Sequence, residues 1–491
     1  MMPDKISRTY GVQLMTAVAL LVMIAAVRLA FITNILGGEE GEFAVLVLND
    51  APISTFDAQH LPREIVGFIE GKPILISFHR TVMPYIILEK LGRLFAPRHA
   101  LGNLPPEKLT IAARLPFAII FLMGIAGLIA VTARAATPTG TKVGLASAMA
   151  PLAVALWSLT TPLAVGASVE PQIDGSVGVL LLGTAATLLA LGHIDQPTPR
   201  WHFLAAGLLA GLGKHEWALA FAGATLGAAI ICLVSSCVRR STMLALAAFF
   251  AGLVLTVGLS YAVSPQDYRD GFHVMASFYS ETGGQLWALK KAQWPFTLPV
   301  LALLAIDGAF LMIVLRPLLR AAPGLFVAYL GAAAIVAGYT ASGWPGDFFP
   351  RYFAPPLVIS AIVFVALWLR FRDAVAPAFR WTVVGVSLLG LGANVAFLAG
   401  SYAGKVSITS WRGTPLNNLA QDYAVAANLA RAAHGIVFAF APAWIYAPDI
   451  DYISAGLGKS EAVRLVAASN PGAEDRIVFP RDGMVYPPAP Q

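Results

Sequence analysis

Apolar runs of membrane length, or close to it, recur along this chain at 12–34, 111–133, 142–161, 175–193, 201–214, 216–234, 242–263, 297–315, 323–342, 353–370 and 381–401. About 20 apolar residues carry a helix across ~30 Å of hydrocarbon. Inside that medium every backbone N–H and C=O must find its partner within the protein, which the α-helix achieves within one segment. A shorter run at 81–96 is interrupted by Glu89, Lys90 and Arg93, and reads as a tilted span or an interfacial helix. The expected architecture is an all-α polytopic membrane protein of about 11–13 transmembrane helices. Composition agrees: 12% of the 491 residues are charged, against about a quarter in a soluble domain.

Sidedness follows from the cations. Lys5 and Arg8, Arg134 and Lys142, Arg200, Arg239 and Arg240, Arg316 and Arg320, and Arg370, Arg372 and Arg380 fall in alternate connections. Short loops rich in Lys and Arg stay in the cytoplasm. The net charge of +6 is therefore an orientation signal and not a nucleic-acid footprint. By alternation, 35–110, 162–174, the turn at 214–216, 264–296, 343–352 and everything after 401 face outward. The basic opening "MMPDKISRTY", with no small-residue cleavage site after the first span, reads as an uncleaved signal anchor. Cys232 and Cys237 lie five apart beside Arg239 and Arg240, a spacing that suits no metal pair and a flank that is reducing.

The chain divides into a transmembrane unit, 1–401, and a tail of soluble composition, 402–491. The first outer loop, 35–110, is expected to carry juxtamembrane helices, and 264–296 forms a second outer loop. In the tail, "LNNLAQDYAVAANLARAAHG" is an amphipathic helix closed by Gly435. "IVFAFA", "SEAVRLVAAS" and "RIVF" then suggest a small α/β domain on the outer face. It either contacts an acceptor or caps the outer surface.

Ionisable residues gather on the outward side. Glu39, Glu40 and Glu42 follow the first span, with Glu39 and Glu42 on one helix face if the helix continues. Asp174 opens the span at 175–193. The glutamates read equally as acids at a helix start or as acids of an active site, whereas Asp174 taken alone reads first as an acid at a helix start. Lys214, His215 and Glu216 interrupt an apolar hairpin, a costly placement unless they face a polar cavity or the interface. His79 and Arg80 precede "TVMPYII", and Arg351 and Tyr352 precede "FAPPLVIS". Arg351 either snorkels to headgroups or clamps a phosphate with its planar fork. Arg28, inside the first span, is placed to neutralise the glutamates beyond it. Asp307 lies within a span with no nearby partner in sequence.

Outward carboxylates beside outward cations at a membrane surface fit group transfer from a lipid phosphate. A carboxylate takes the proton of the attacking hydroxyl or holds a metal that activates it. A Lys or Arg holds the phosphate as it leaves with growing charge. The order of motifs resembles the C-type glycosyltransferases (GT-C), nearest to the bacterial branch with the lipid A aminoarabinose transferases and the protein O-mannosyltransferases. The family's Asp-Glu-x-x-Tyr-Ala after the first helix is matched by Glu39-Glu40-Gly41-Glu42-Phe43-Ala44, with Glu for Asp and Phe for Tyr. Met83-Pro84-Tyr85, Arg114-Leu115-Pro116, Asp174, "GLGKHEW" with Lys214, and Arg351-Tyr352 with Pro355-Pro356 follow in family order.

The resemblance implies a GT-C fold and a transferase taking a sugar from polyprenyl phosphate, such as undecaprenyl phosphate, to a lipid, glycan or protein acceptor at the outer face of a bacterial inner membrane. It assigns Glu39, Glu40 and Asp174 to catalysis and Lys214, Arg351 and Arg80 to the donor phosphate. Glu42, His79, His215 and Tyr352 support them. It requires no cofactor, although some members of the family use a divalent metal. The rival from another class is a transporter or flippase for a lipid-linked sugar. That reading wants repeated halves with broken helices, and no half-to-half symmetry is visible in the sequence.

Overall fold

A computed structural model describes residues 3–31, 63–70, 72–77, 106–136, 145–169, 173–192, 200–235, 239–263, 265, 294–341, 350–403, 428, 431–432, 434–439, 450–454 and 459–479. Each of the eleven expected runs carries helix. In chain order these are α1 (Pro3–Phe31), then a hairpin of β1 (Arg63–Ile69) and β2 (Lys72–Ser77), α2 (Pro106–Ala136), α3 (Leu145–Leu159) and α4 (Pro162–Val169). Two π-helical stretches, Ile173–Val177 and Val179–Gly183, run into α5 (Thr184–Leu191). Then come α6 (Arg200–Gly211), α7 (His215–Val234), α8 (Arg240–Val263), α9 (Trp294–Ala321) and α10 (Pro323–Ala341). A 3₁₀ turn, Pro350–Phe353, leads into α11 (Ala354–Phe371), which α12 (Pro377–Tyr402) follows. The tail contributes β3 (Ile436–Ala439), β4 (Tyr452–Ser454), α13 (Lys459–Ser469) and β5 (Ile477–Val478).

Among the described residues, 8 helices are long and apolar enough to cross a membrane, or 9 if α3 and α4 count as one bent span. Two runs make the difference from eleven: α6, only about 18 Å long at 1.5 Å per residue, and the run at 175–193, whose helix Gly175–Leu191 falls among the shorter apolar helices. The segment 81–96 lies outside the described residues.

The centre of the bundle is α11. Its residues from Ala354 to Trp368 are all buried, as expected of a helix apolar on every side. Ser360 of α11 donates a hydrogen bond to the buried carboxylate of Asp307 on α9, the acid that had no partner in sequence. The short α6 is held by close backbone approach to α8. A Cβ on Gly252 would meet the Leu204 carbonyl, and one on Gly207 would meet that of Phe249. Small residues at such crossings let membrane helices pack at short range.

The expected span 142–161 does not stop where the sequence suggested. It breaks at Thr160-Thr161, bends by 55° and resumes as α4. Pro162 has no N–H to continue α3 and occupies the first position of the new helix. Thr161 caps it, its Oγ1 accepting the Ala164 N–H at 3.1 Å. Two side chains from other helices supply the donors that the break removes. Arg28 donates to the Leu159 carbonyl at 3.0 Å, and Asn394 of α12 donates to that of Trp157 at 2.8 Å. Arg28 also lies 4.4 Å over the Phe121 ring and bonds back to the Ile24 carbonyl. Its described partners thus serve the broken helix, where the sequence had suggested a counter-charge for the glutamates.

Outside the bundle is a mixed five-stranded sheet, in the order β2-β1-β4-β3-β5. It joins chain ends that are distant in sequence. β1 pairs antiparallel with β4, while β3 runs parallel to β4 and to β5. The strands β1 and β2 come from the first outer loop, a hairpin the sequence had not signalled; the juxtamembrane helices expected in that loop lie outside the described residues. Glu70 at the hairpin tip takes φ 52°, and three tail residues hold it. Its N–H donates to Asp451 at 2.8 Å, its carboxylate accepts from Asn470 at 3.2 Å, and Arg476 is 3.7 Å away. Ile69, Ile74, Ile436, Phe438 and Ile453 pack with Ala462 and Val466 of α13. Hydrogen-bonded strands share one side of a membrane, so the first loop and the tail do too.

Arg28→Met removes the side-chain donor to the buried Leu159 carbonyl, and Asn394→Leu leaves that of Trp157 only the longer bond from Thr160 Oγ1, at 3.4 Å. Each should lower stability by about 1–3 kcal/mol, read as an earlier unfolding midpoint in detergent, with the secondary structure of the folded protein unchanged.

Candidate functional site

Lys214 lies in the turn between α6 and α7, at the cap position of α7, with extended backbone (φ −77°, ψ 151°). Its carbonyl accepts the first helical bond of α7, from Ala218, at 3.0 Å. The side chain is only 3% exposed. Its ammonium sits 3.7 Å from the centre of the Tyr352 ring and 5.8 Å from that of Trp217. A cation at a helix N-terminus opposes the helix dipole, and aromatic faces supply part of the compensation. A cation and a helix N-terminus are each features that favour a bound anion, and here both belong to one turn.

Tyr352 belongs to the 3₁₀ turn that leads into the Pro355-Pro356 start of α11. It stacks on Tyr339 of α10, with ring centres 5.3 Å apart and planes inclined by 19°. The Tyr339 hydroxyl accepts the indole N–H of Trp217 at 3.2 Å. Trp217, three residues after Lys214, thus closes a ring of contacts through Tyr339 and Tyr352 back to the lysine. His215 and Glu216 occupy the first turn of α7, both half-buried.

The π-helical segment that starts at Ile173 comes to the same place. A Cβ on Gly178 would lie 2.6 Å from the Trp217 ring and 3.0 Å from Pro355. The wider turn of a π-helix, common at functional sites, here contains the backbone of Asp174. A Cβ on Gly175 would sit 2.6 Å from the Ala167 carbonyl, so this stretch is pressed against α4. The end of α1 reaches α4 too, Phe31 packing with Val165 and Val169. Arg114, fully buried, donates to the Phe31 carbonyl at 2.9 Å. The Arg-Leu-Pro motif therefore holds the end of the helix that precedes the three glutamates.

Of the residues that the resemblance assigns to the site, Lys214, His215 and Tyr352 are described with their side chains. The backbones of Asp174 and Arg351 lie on the segments that meet around Trp217 and Pro355. Glu39, Glu40, Glu42, His79 and Arg80 lie outside the described residues. Among the described residues no group of three His, Cys, Asp or Glu side chains is placed to hold a metal ion. Trp217, Tyr339 and Gly178 were missed. Trp217 alone had a local signal, its i+3 spacing from Lys214.

No protein-family model matches the chain, and no curated protein sequence does. A solved structure matches over almost the whole length: the crystal structure of ArnT from Cupriavidus metallidurans bound to undecaprenyl phosphate. The TM-score is 0.51 at 16% identity, covering 95% of this chain and 89% of that one. The chain has the ArnT fold. The fold is thus the one that the order of motifs led us to expect, and the small α/β unit expected of the tail is present as part of the sheet outside the bundle. At this identity the ArnT likeness speaks for the fold, and the chemistry of this chain rests on its own residues.

The close approach at Gly178 is directly testable. Gly178→Val should overpack the contact with Trp217 and Pro355 and lower stability by about 1–3 kcal/mol. A variant as stable as wild type in thermal unfolding would show that the π-helical segment is not packed there.

Proposed function

We propose that the chain is a membrane glycosyltransferase that moves a sugar from a polyprenyl phosphate, undecaprenyl phosphate or a similar lipid, to an acceptor at the outer face of a bacterial inner membrane. The observation that carries this reading is the buried Lys214 ammonium at the start of α7, against Tyr352. The ArnT fold supports it, since that relative was crystallised with undecaprenyl phosphate. The N-terminus is cytoplasmic in this reading, and the loops and tail face outward.

The reaction is a displacement at the anomeric carbon. An acceptor hydroxyl oxygen forms the new bond to that carbon, and its proton passes to a carboxylate. The bond from the anomeric carbon to the phosphate oxygen breaks, and its electron pair stays on the phosphate. The lipid phosphate gains a negative charge as it leaves, so a fixed cation stabilises the transition state more than the bound donor. Lys214 fills that role, with Arg351 and Arg80 as further phosphate partners. Glu39 supplies the base in this reading, with Glu40, Glu42 and Asp174 in support. His79, His215 and Tyr352 shape the surroundings. Burial matters here, because a charge–phosphate interaction weakened by water is worth far less.

Purified protein incubated with a radiolabelled polyprenyl-phosphate sugar and an envelope extract as acceptor should release free polyprenyl phosphate. Lys214→Ala should slow release by about 100-fold or more. One of Glu39→Gln, Glu40→Gln and Glu42→Gln should abolish it in protein that still folds. Wild-type rates for Lys214→Ala, Asp174→Asn and all three glutamine variants would overturn the mechanism. Movement of label across vesicles without cleavage would assign the fold to transport instead.

A further inference from the structure

We propose that Tyr339, fixed by Trp217, is a positioning residue that sets where the Lys214 ammonium meets the donor phosphate; this rests on the reading of Lys214 given above. Tyr352 supplies the face nearest the ammonium, yet it sits on a four-residue 3₁₀ turn. The described contact that orients its ring from a long helix is the Tyr339 stack, at 5.3 Å and 19°. Tyr339 is 4% exposed and makes an edge contact with Phe353, centres 6.1 Å apart, so it grips the turn at two consecutive residues. Its hydroxyl is in turn tied at 3.2 Å to Trp217, on the helix that Lys214 caps. The π-helical segment at Gly178 backs the Trp217 ring.

The circuit connects the turn at Lys214 to the turn at Tyr352 through two side chains that need not touch the substrate. Lys has a flexible four-carbon stem and little geometric preference of its own. Its catalytic value depends on being held where charge develops, since misplacement of about 1 Å is costly. Stacking fixes the distance of the Tyr352 face, and the indole hydrogen bond fixes Tyr339 along α10.

The effect should appear in kcat more than in KM, because the phosphate charge grows as the bond breaks. Tyr339→Leu should lower kcat about tenfold; Tyr339→Phe, which keeps the ring and loses the hydrogen bond, and Trp217→Phe, which loses the same bond and part of the ring that Gly178 backs, should each lower it about threefold. Residues acting through one group are non-additive. Lys214→Ala with Tyr339→Leu should therefore be no slower than Lys214→Ala alone, a result that a general packing role would not give. A wild-type rate for Tyr339→Leu, or losses that multiply in the double variant, would overturn the proposal. If Tyr339→Leu does not fold, the two Phe variants, each crossed with Lys214→Ala, decide by the same criterion. A second arm measures affinity for radiolabelled undecaprenyl phosphate, the product-like ligand. Should wild type bind this lipid but transfer no sugar, the transferase reading fails. The positioning role then stands only if Tyr339→Leu weakens binding in the Lys214 protein and not in Lys214→Ala. Neither binding nor transfer by wild type would remove both.

Discussion

The structure depends on one demand of the membrane interior, that no backbone carbonyl be left without a donor. The break at Thr160-Thr161 violates the regular ladder and survives because Arg28 and Asn394 reach it from two other helices. This arrangement ties α1, α3 and α12 together at a single level of the bundle. It also allows α4 to leave at 55° and to lie against the π-helical segment and the end of α1. A straight α3 would have no reason to place those three pieces side by side. The break is therefore the device that assembles the site, and an intramembrane arginine is part of the scaffold.

Around the site, long-range chain order is converted into short-range chemistry. Lys214, Tyr352 and Tyr339 come from three connections or helix ends that the bundle brings together, and Trp217 lies one turn into α7. The ammonium is buried at the positive end of a helix, a placement that stability alone would not favour. Such local conflicts between charge and environment are where a fold commonly carries its chemistry. A phosphate bound there would face a cation at a helix N-terminus, the end that favours anions.

Much of this was legible in sequence for a physical reason. Apolar runs must be long to cross a bilayer, so the runs were legible and each carries helix, although only 8 or 9 of the described helices are long and apolar enough to span. Lys214 stood out because charges are rare in such runs. The partners of Lys214 were harder to find. Tyr339 and Trp217 look like ordinary core or interfacial aromatics, and only three-dimensional proximity distinguishes them. The bend at Thr160-Thr161 was hidden because Thr-Thr-Pro in an apolar setting reads as a loop start, while the helix resumes within one residue. The hairpin at 63–77 pairs locally, β1 with β2, and was simply not singled out; what no local pattern could show is its attachment to β4, at the other end of the chain. Asp307 had no visible partner for the same reason, its hydrogen-bond donor being on α11.

That distant pairing has a consequence for how the protein comes into being. The loop with Glu39, Glu40 and Glu42 is clamped at its start by Arg114 on the Phe31 carbonyl, early in synthesis. Its far side leads to a hairpin whose tip is fastened by Asp451, Asn470 and Arg476. Until those residues leave the ribosome, β1 lacks β4 along one edge, and contacts of such sequence separation form late. The sheet is completed only when the tail, made after the last helix, has reached the side of the membrane that holds the hairpin. Its assembly thus waits for 450–479, although its first two strands are among the earliest parts of the chain to be made.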